Sequence, residues 1–204
     1  SLQYVSEHTT SEKLSVKTLD IINLGFTKKE NFINLFNVEN EKLDVFLEYI
    51  YVYKEICKQN KYPKISLRAL NDLKKITVKI ASQTFDAQKI DQDKDTFENG
   101  KEISEKLFDD VWYPILFTFN DIIMNSKDME VRSCCLHEMF EFLFDYGSFF
   151  SITIWSKICN KILFPIFSVL KTSSNETVDK FNSHDDLSVW LNTTMIQALR
   201  NTIA

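Results

Sequence analysis

From Leu107 to Leu170 apolar side chains recur every three or four residues in three consecutive runs, separated by short polar turns. That spacing places the apolar positions of each run on one face of an α-helix. In the first run Ile103, Leu107, Val111, Ile115, Phe119 and Ile122 form a stripe, and Phe108, Trp112, Phe117 and Ile123 widen it to most of the circumference. A helix this apolar requires cover on two sides. Pro114 lies inside it, lacks a backbone donor and clashes with the preceding turn, which predicts a kink. The second run, Met129 to Tyr146, stacks Val131, Cys135, Met139, Phe142 and Tyr146 and closes at Gly147. Asp128 precedes it, where a carboxylate accepts from the first amides and opposes the positive helix end. The third run carries Ile154, Trp155, Ile158, Ile162, Leu163, Ile166 and Phe167, with Pro165 as a second internal proline.

Upstream, residues 12–24 and 28–37 read as two short helices, with Leu14, Leu19 and Ile22 and then Phe32, Leu35 and Phe36 on their apolar sides; Gly25 marks the break. A longer helix is expected over 41–60 and another over 66–84, with Ser66 as its N-cap. The composition then turns polar and acidic over 86–102, the pattern of an exposed or disordered linker. Near the end, residues 171–182 form a polar connection, and Ser183 with Asp186 makes an approximate capping box ahead of Leu187-Ser188-Val189-Trp190-Leu191. The expected organisation is N-terminal helical repeats over 1–85, the linker over 86–102 and C-terminal helical repeats over 103–204, about eight helices in all.

Composition narrows the fold class to all-α. The 204 residues include 17 Phe but only 3 Gly and 3 Pro, too few turn formers for a β-sandwich or barrel. A chain of this length buries about 70% of its unfolded surface. A net charge of −5 offers no footprint for nucleic acid or for an anionic membrane. Cys57, Cys134, Cys135 and Cys159 have no framework spacing and are expected to be reduced thiols packed in a core. No apolar run reaches the roughly 20 residues of a membrane span, and no signal peptide is expected from the first residues given. The chain starts at Ser1 and stops within a still-periodic stretch, so we expect a piece of a longer protein.

Several residue groups resemble chemistry. Asp91, Asp93, Asp95 and Glu102 stand at the first, third, fifth and twelfth positions of a calcium loop, but Thr96 occupies the position that wants Gly and Glu98 one that is normally apolar. A solvated acidic linker is the stronger reading. Cys134, Cys135, His137 and Glu138 share a helical turn, yet zinc needs four converging ligands and no second pair stands at ligand spacing. His137-Glu138 lacks the second His of a zinc-protease helix, and burial of a Cys in a Phe-rich helix opposes thiolate formation. Three isolated glycines make no phosphate loop, and His184-Asp185-Asp186 reads as a cap. No catalytic residue and no cofactor is expected.

Asp128 and Arg132 point instead to architecture. In HEAT-type repeats an Asp in the inter-helix turn and an Arg just inside the next helix form a ladder between neighbouring repeats, and a proline-kinked preceding helix belongs to the same pattern. The expected structural signature is Trp112, Pro114, Asp128, Arg132, Gly147, Trp155, Pro165, Ser183, Asp186, Trp190 and Arg200.

With these residues in view, Trp112-Tyr113-Pro114-Ile115-Leu116, Asp128-Met129-Glu130-Val131-Arg132, Tyr146-Gly147-Ser148-Phe149-Phe150, Phe164-Pro165-Ile166-Phe167 and Ser188-Val189-Trp190-Leu191 through Arg200 closely resemble the C-terminal part of the large Arf guanine-nucleotide exchange factors, the Sec-seven and BIG proteins of the trans-Golgi. Lys64-Ile65-Ser66-Leu67-Arg68-Ala69-Leu70 and Leu43-Asp44-Val45-Phe46-Leu47 extend the resemblance upstream. It implies a segment of the region downstream of the Sec-seven domain, an armadillo or HEAT α-solenoid. In that family a loop glutamate of a separate domain displaces the nucleotide, and no such motif occurs here. The implied role is non-catalytic: membrane recruitment, autoinhibition, or response to Arf and Rab GTPases, with other domains of the same factor or a second copy as partners. The implied place is cytoplasmic and peripheral at the trans-Golgi network. The alternative is a general HEAT-repeat scaffold such as a transport receptor or coat subunit.

Overall fold

The computed structural model describes residues 12–27, 40–59, 61–86, 102–168 and 200, and every element among them is helical, with no strand. Helix α1 spans Glu12–Thr27, α2 Asn40–Lys58 and α3 Pro63–Ala81, the last ending in a π-turn over Ser82–Asp86. Further on, α4 (Glu105–Leu107) runs through a π-turn at Phe108–Trp112 into α5 (Tyr113–Asn125). Helix α6 (Met129–Tyr146) follows, then a 3₁₀ turn at Gly147–Phe149, α7 (Ile152–Ile158), a π-turn at Cys159–Leu163 and α8 (Phe164–Ser168). The expected helix over 28–37, the loop carboxylates Asp91, Asp93 and Asp95, the connection over 171–182, and Ser183, Asp186 and Trp190 lie outside the described residues.

Two helical hairpins lie side by side. Helix α2 packs on α3 and α5 on α6, while between hairpins α2 meets α5 and α3 meets α6. Helix α1 adds to α3, and the π-turn at Cys159–Leu163 and α8 add to α5. First helices therefore neighbour first helices, and second helices neighbour second. The arrangement covers α5 from two sides, as its apolar circumference requires, although Phe117 stays 43% exposed on the remaining strip. Residues on both sides of 87–101 share one core. Phe85, fully buried at the end of α3, stacks on Trp112 at 5.2 Å, Tyr146 at 4.8 Å and Phe149 at 4.9 Å.

The structure corrects several local expectations. Helix α1 does not break at Gly25 but continues to Thr27. A glycine inside a helix costs about 1 kcal/mol, and burial of Leu19 and Ile22 in the two preceding turns offsets it. Leu14, expected on the apolar side of α1, is 43% exposed. Helix α3 begins at Pro63, whose fixed φ suits the first helical position. Ser66 is therefore no N-cap: it is buried inside α3, and its hydroxyl donates to the Ile56 carbonyl at 2.9 Å and lies 3.0 Å from that of Gln59. It thus satisfies carbonyls that the end of α2 leaves open. Ile103 stands ahead of α4, whose N-cap is Ser104; its amide donates to the Phe149 carbonyl at 3.0 Å.

Both internal prolines directly follow a π-turn. The amide of Tyr113 bonds to the Phe108 carbonyl and that of Phe164 to the Cys159 carbonyl, each five residues back, and Pro114 and Pro165 come next. The inserted residue shifts the hydrogen-bond register where proline has no donor, which is the form the expected distortion takes. Ile115 and Ile166, one residue after each proline, are fully buried.

Candidate interaction surfaces

Among the described residues, Asp128, Arg132, Trp112 and Gly147 lie in turns and core. Asp128 caps α6, its Oδ1 accepting from the amides of Glu130 at 2.9 Å and Val131 at 3.1 Å. Arg132 is 3% exposed, and its Nε donates to the Ser126 carbonyl in the same turn. Trp112 is fully buried between Phe85 at 5.2 Å and Phe142 at 5.0 Å. Gly147 closes α6 as expected, but at φ −63° it is right-handed, so a left-handed cap is not the reason for glycine. Space is the reason: a Cβ there would lie 2.6 Å from the indole of Trp155, whose Nε1 donates to the Gly147 carbonyl at 3.0 Å. Glu102 and Arg200 are exposed.

Side chains that the sequence reading missed join the hairpins. Asn120, buried in α5, donates to the Ile162 carbonyl in the π-turn at 2.6 Å, and Ser126 donates to the Cys57 carbonyl at the end of α2 at 3.3 Å. An amide in the middle of an apolar helix was the available signal for Asn120. Lys58 of α2 pairs with Asp121 of α5 at 2.9 Å and with Glu55 at 2.9 Å, and Lys54 lies 3.6 Å from Asp121. Burial alone would raise the Asp121 carboxyl and lower the Lys58 ammonium. Lys58, with help from Lys54 and Asn125, outweighs it for Asp121, and Glu55 together with Asp121 outweighs it for Lys58, so Asp121 is held below the usual carboxylate range and Lys58 above the usual lysine range. Tyr53 of α2 donates to Asn23 of α1 at 2.8 Å, and Asn23 donates to Asp72 of α3 at 2.6 Å.

The thiols divide. Cys57 and Cys135 are fully buried, and burial pushes both well up, away from thiolate chemistry. Cys135 donates to the Phe119 carbonyl at 3.3 Å. Cys134, expected in the core, is exposed, so the turn of α6 that carries Cys134, Cys135 and His137 splits between core and solvent. His137, Glu138 and Glu141 do bring ligand atoms within 4.8 Å of one another. Lys74 of α3 already holds both carboxylates, Glu138 at 2.7 Å and Glu141 at 3.4 Å, and a cation would have to displace its ammonium.

Lys74 stands over a groove of about 90 Å³ between α3 and α6. Phe119 and Phe142 form its floor, and Glu138, Glu141 and Asp145 its acidic wall. Val78, 49% exposed, stands on the α3 side, and Phe144, on α6 between Glu141 and Asp145, is 88% exposed.

Over its full length the chain is 45% identical to the ADP-ribosylation factor guanine nucleotide-exchange factor SEC7 of Saccharomyces cerevisiae, covering 10% of that protein. It is 25% identical over 177 residues, 85% of the chain and 9% of the relative, to the ADP-ribosylation factor guanine nucleotide-exchange factor sec72 of Schizosaccharomyces pombe. A further match, 28% over 99 residues covering 44% of the chain and 6% of the relative, is to the brefeldin A-inhibited guanine nucleotide-exchange protein 2 of Arabidopsis thaliana. The chain thus spans a tenth or less of the length of these curated relatives. No family model and no solved structure matches it.

Proposed function

The chain belongs to the large Arf guanine-nucleotide exchange factors of the Sec-seven and BIG group, as a segment of one of them, and on that footing we propose that it is a non-catalytic regulatory segment of that factor. Identity of 45% along the whole chain carries the reading. A non-catalytic role is supported by where the polar groups go. The buried thiols are held protonated, Asp128 and Ser104 cap helices, and Asn120, Ser126 and Ser66 satisfy backbone carbonyls. Chemistry on a bound GTPase would be the task of another part of the polypeptide.

The regulatory element we propose is an α-solenoid of armadillo or HEAT type. Support comes from the order of packing, first helix on first and second on second, and from the recurrence of a π-turn followed by aromatic-Pro-Ile at Tyr113-Pro114-Ile115 and Phe164-Pro165-Ile166. Neighbouring hairpins stacked in this way bury a continuous core and leave long faces for partners. The partners proposed are Arf-family and Rab GTPases, other domains of the same factor and a second copy of it, with the whole protein peripheral at the trans-Golgi network. No described helix is long and apolar enough to cross a membrane.

A pull-down separates this reading from a general HEAT scaffold. The exchange-factor reading predicts retention of GTP-loaded Arf or Rab by the factor that contains this segment, and weaker retention once the segment is deleted. Retention of Ran or of a transport signal instead would favour the scaffold. Added alone to GDP-loaded Arf, the segment should leave nucleotide release at its spontaneous rate.

A further inference from the structure

We propose that the groove between α3 and α6 docks a basic, amphipathic helix presented by a protein partner. The groove is apolar beneath, where Phe119 and Phe142 form the floor, and acidic along one wall, where three carboxylates face the single ammonium of Lys74. Asp145 is exposed, and Lys74 meets the exposed Glu141 only through Oε2 at 3.4 Å, so a cation arriving from solvent can pair with Asp145 and share Glu141 without entering the Lys74–Glu138 pair. Val78, 49% exposed, lines the groove, and Phe144, 88% exposed and three residues from Glu141 on α6, adds apolar surface just outside that lining. His137, Glu141 and Phe144 recur at four- and three-residue spacing and are all exposed, so this mixed surface runs along two turns of α6. A volume of about 90 Å³ suits one or two apolar side chains, not a small-molecule ligand that needs burial on most sides.

Charge selects the occupant. An anionic bilayer is repelled by the acidic wall, although the exposed phenylalanine alone would favour it. A second copy meeting the same face about a two-fold axis would set carboxylates against carboxylates. A helix carrying lysine or arginine beside leucine-like residues at i, i+3, i+4 and i+7 satisfies both the apolar and the acidic parts, the usual way a groove takes a helix.

The test is fluorescence anisotropy of a synthetic amphipathic Lys/Leu helix on the intact chain, with hydrogen exchange to map the contact. Controls are a peptide of the same composition with its leucines scattered, a Glu/Leu counterpart and anionic vesicles. We expect slowed exchange in α3 and α6, salt-sensitive binding, and an affinity loss of about tenfold for the pair Glu141→Gln and Asp145→Lys. Phe144→Ser, which leaves the charge unchanged, should lose at least about fivefold. Circular dichroism checks each variant, and the two are read independently, so loss of fold in one leaves the other to decide. Equal binding of the scattered peptide, unchanged affinity in the folded variants, protection confined to other helices, binding of the Glu/Leu peptide or vesicles at this face, or a dimer that Phe144→Ser dissociates would each overturn the proposal.

Discussion

Gly147 shows how a single residue is decided by a distant one. In its right-handed conformation, Gly→Ala would ordinarily stabilise by roughly 0.4–1 kcal/mol through the unfolded chain. The Trp155 ring 2.6 Å from the would-be Cβ reverses the sign, and overpacking of this kind costs about 1–3 kcal/mol. We expect Gly147→Ala to lower stability in urea unfolding, and the loss to shrink when combined with Trp155→Phe, a coupling that a double-mutant cycle reads directly. Arg132→Glu should cost about 3 kcal/mol or more, because it buries a carboxylate against the Ser126 carbonyl at a site 3% exposed; an unchanged melting temperature would contradict this account of the turn. At this scale the sequence is legible where the chemistry is local. Asp128 is recognisable as a cap because its partners are two and three residues away. Ser66 misleads because its hydroxyl serves carbonyls at and just past the end of another helix, ten and seven residues back.

Among the elements, helix existence follows from periodicity, since packing of an apolar face is what stabilises a helix in a protein. Helices α5 and α6 were readable for that reason. The π-turns were not, because inserting one residue scarcely disturbs an apolar pattern that already covers most of the circumference. Their presence changes what Pro114 does. A proline inside a regular helix costs about 3 kcal/mol, so Pro114→Ala in such a helix would stabilise by that order. With the register already shifted by the Phe108–Tyr113 bond, we expect Pro114→Ala instead to destabilise by up to about 1 kcal/mol through the gain in unfolded-state entropy. Chemical denaturation distinguishes the two signs.

Across the whole molecule, the contacts that join α2 to α5 are those the sequence cannot reveal, because Lys58 and Asp121 are 63 residues apart. Asp121 ionises more readily in the folded chain than in the unfolded one, so its contribution is complete above the ordinary carboxylate range near pH 4 and disappears as pH falls through and below that range. Lys58, raised in the folded chain, contributes fully below the ordinary lysine range near pH 10.4 and loses that contribution as pH rises beyond it. Asp121→Asn should therefore lower stability at neutral pH by about 1–3 kcal/mol and flatten the acid side of the stability profile, measured as urea midpoints from pH 2 to pH 7. The all-α class and the family were legible from short motifs, whereas the α3–α6 groove appears only when Lys74 and Glu138, 64 residues apart, are brought together.

The regulatory reading meets its most direct test in the rate of nucleotide exchange on Arf by the whole factor, with and without this stretch, on membranes and free in solution. The account predicts that deletion leaves exchange in solution on a membrane-independent Arf close to its full rate and changes the rate on membranes severalfold. Equal loss of exchange in both settings, or an unchanged rate in both, would contradict it.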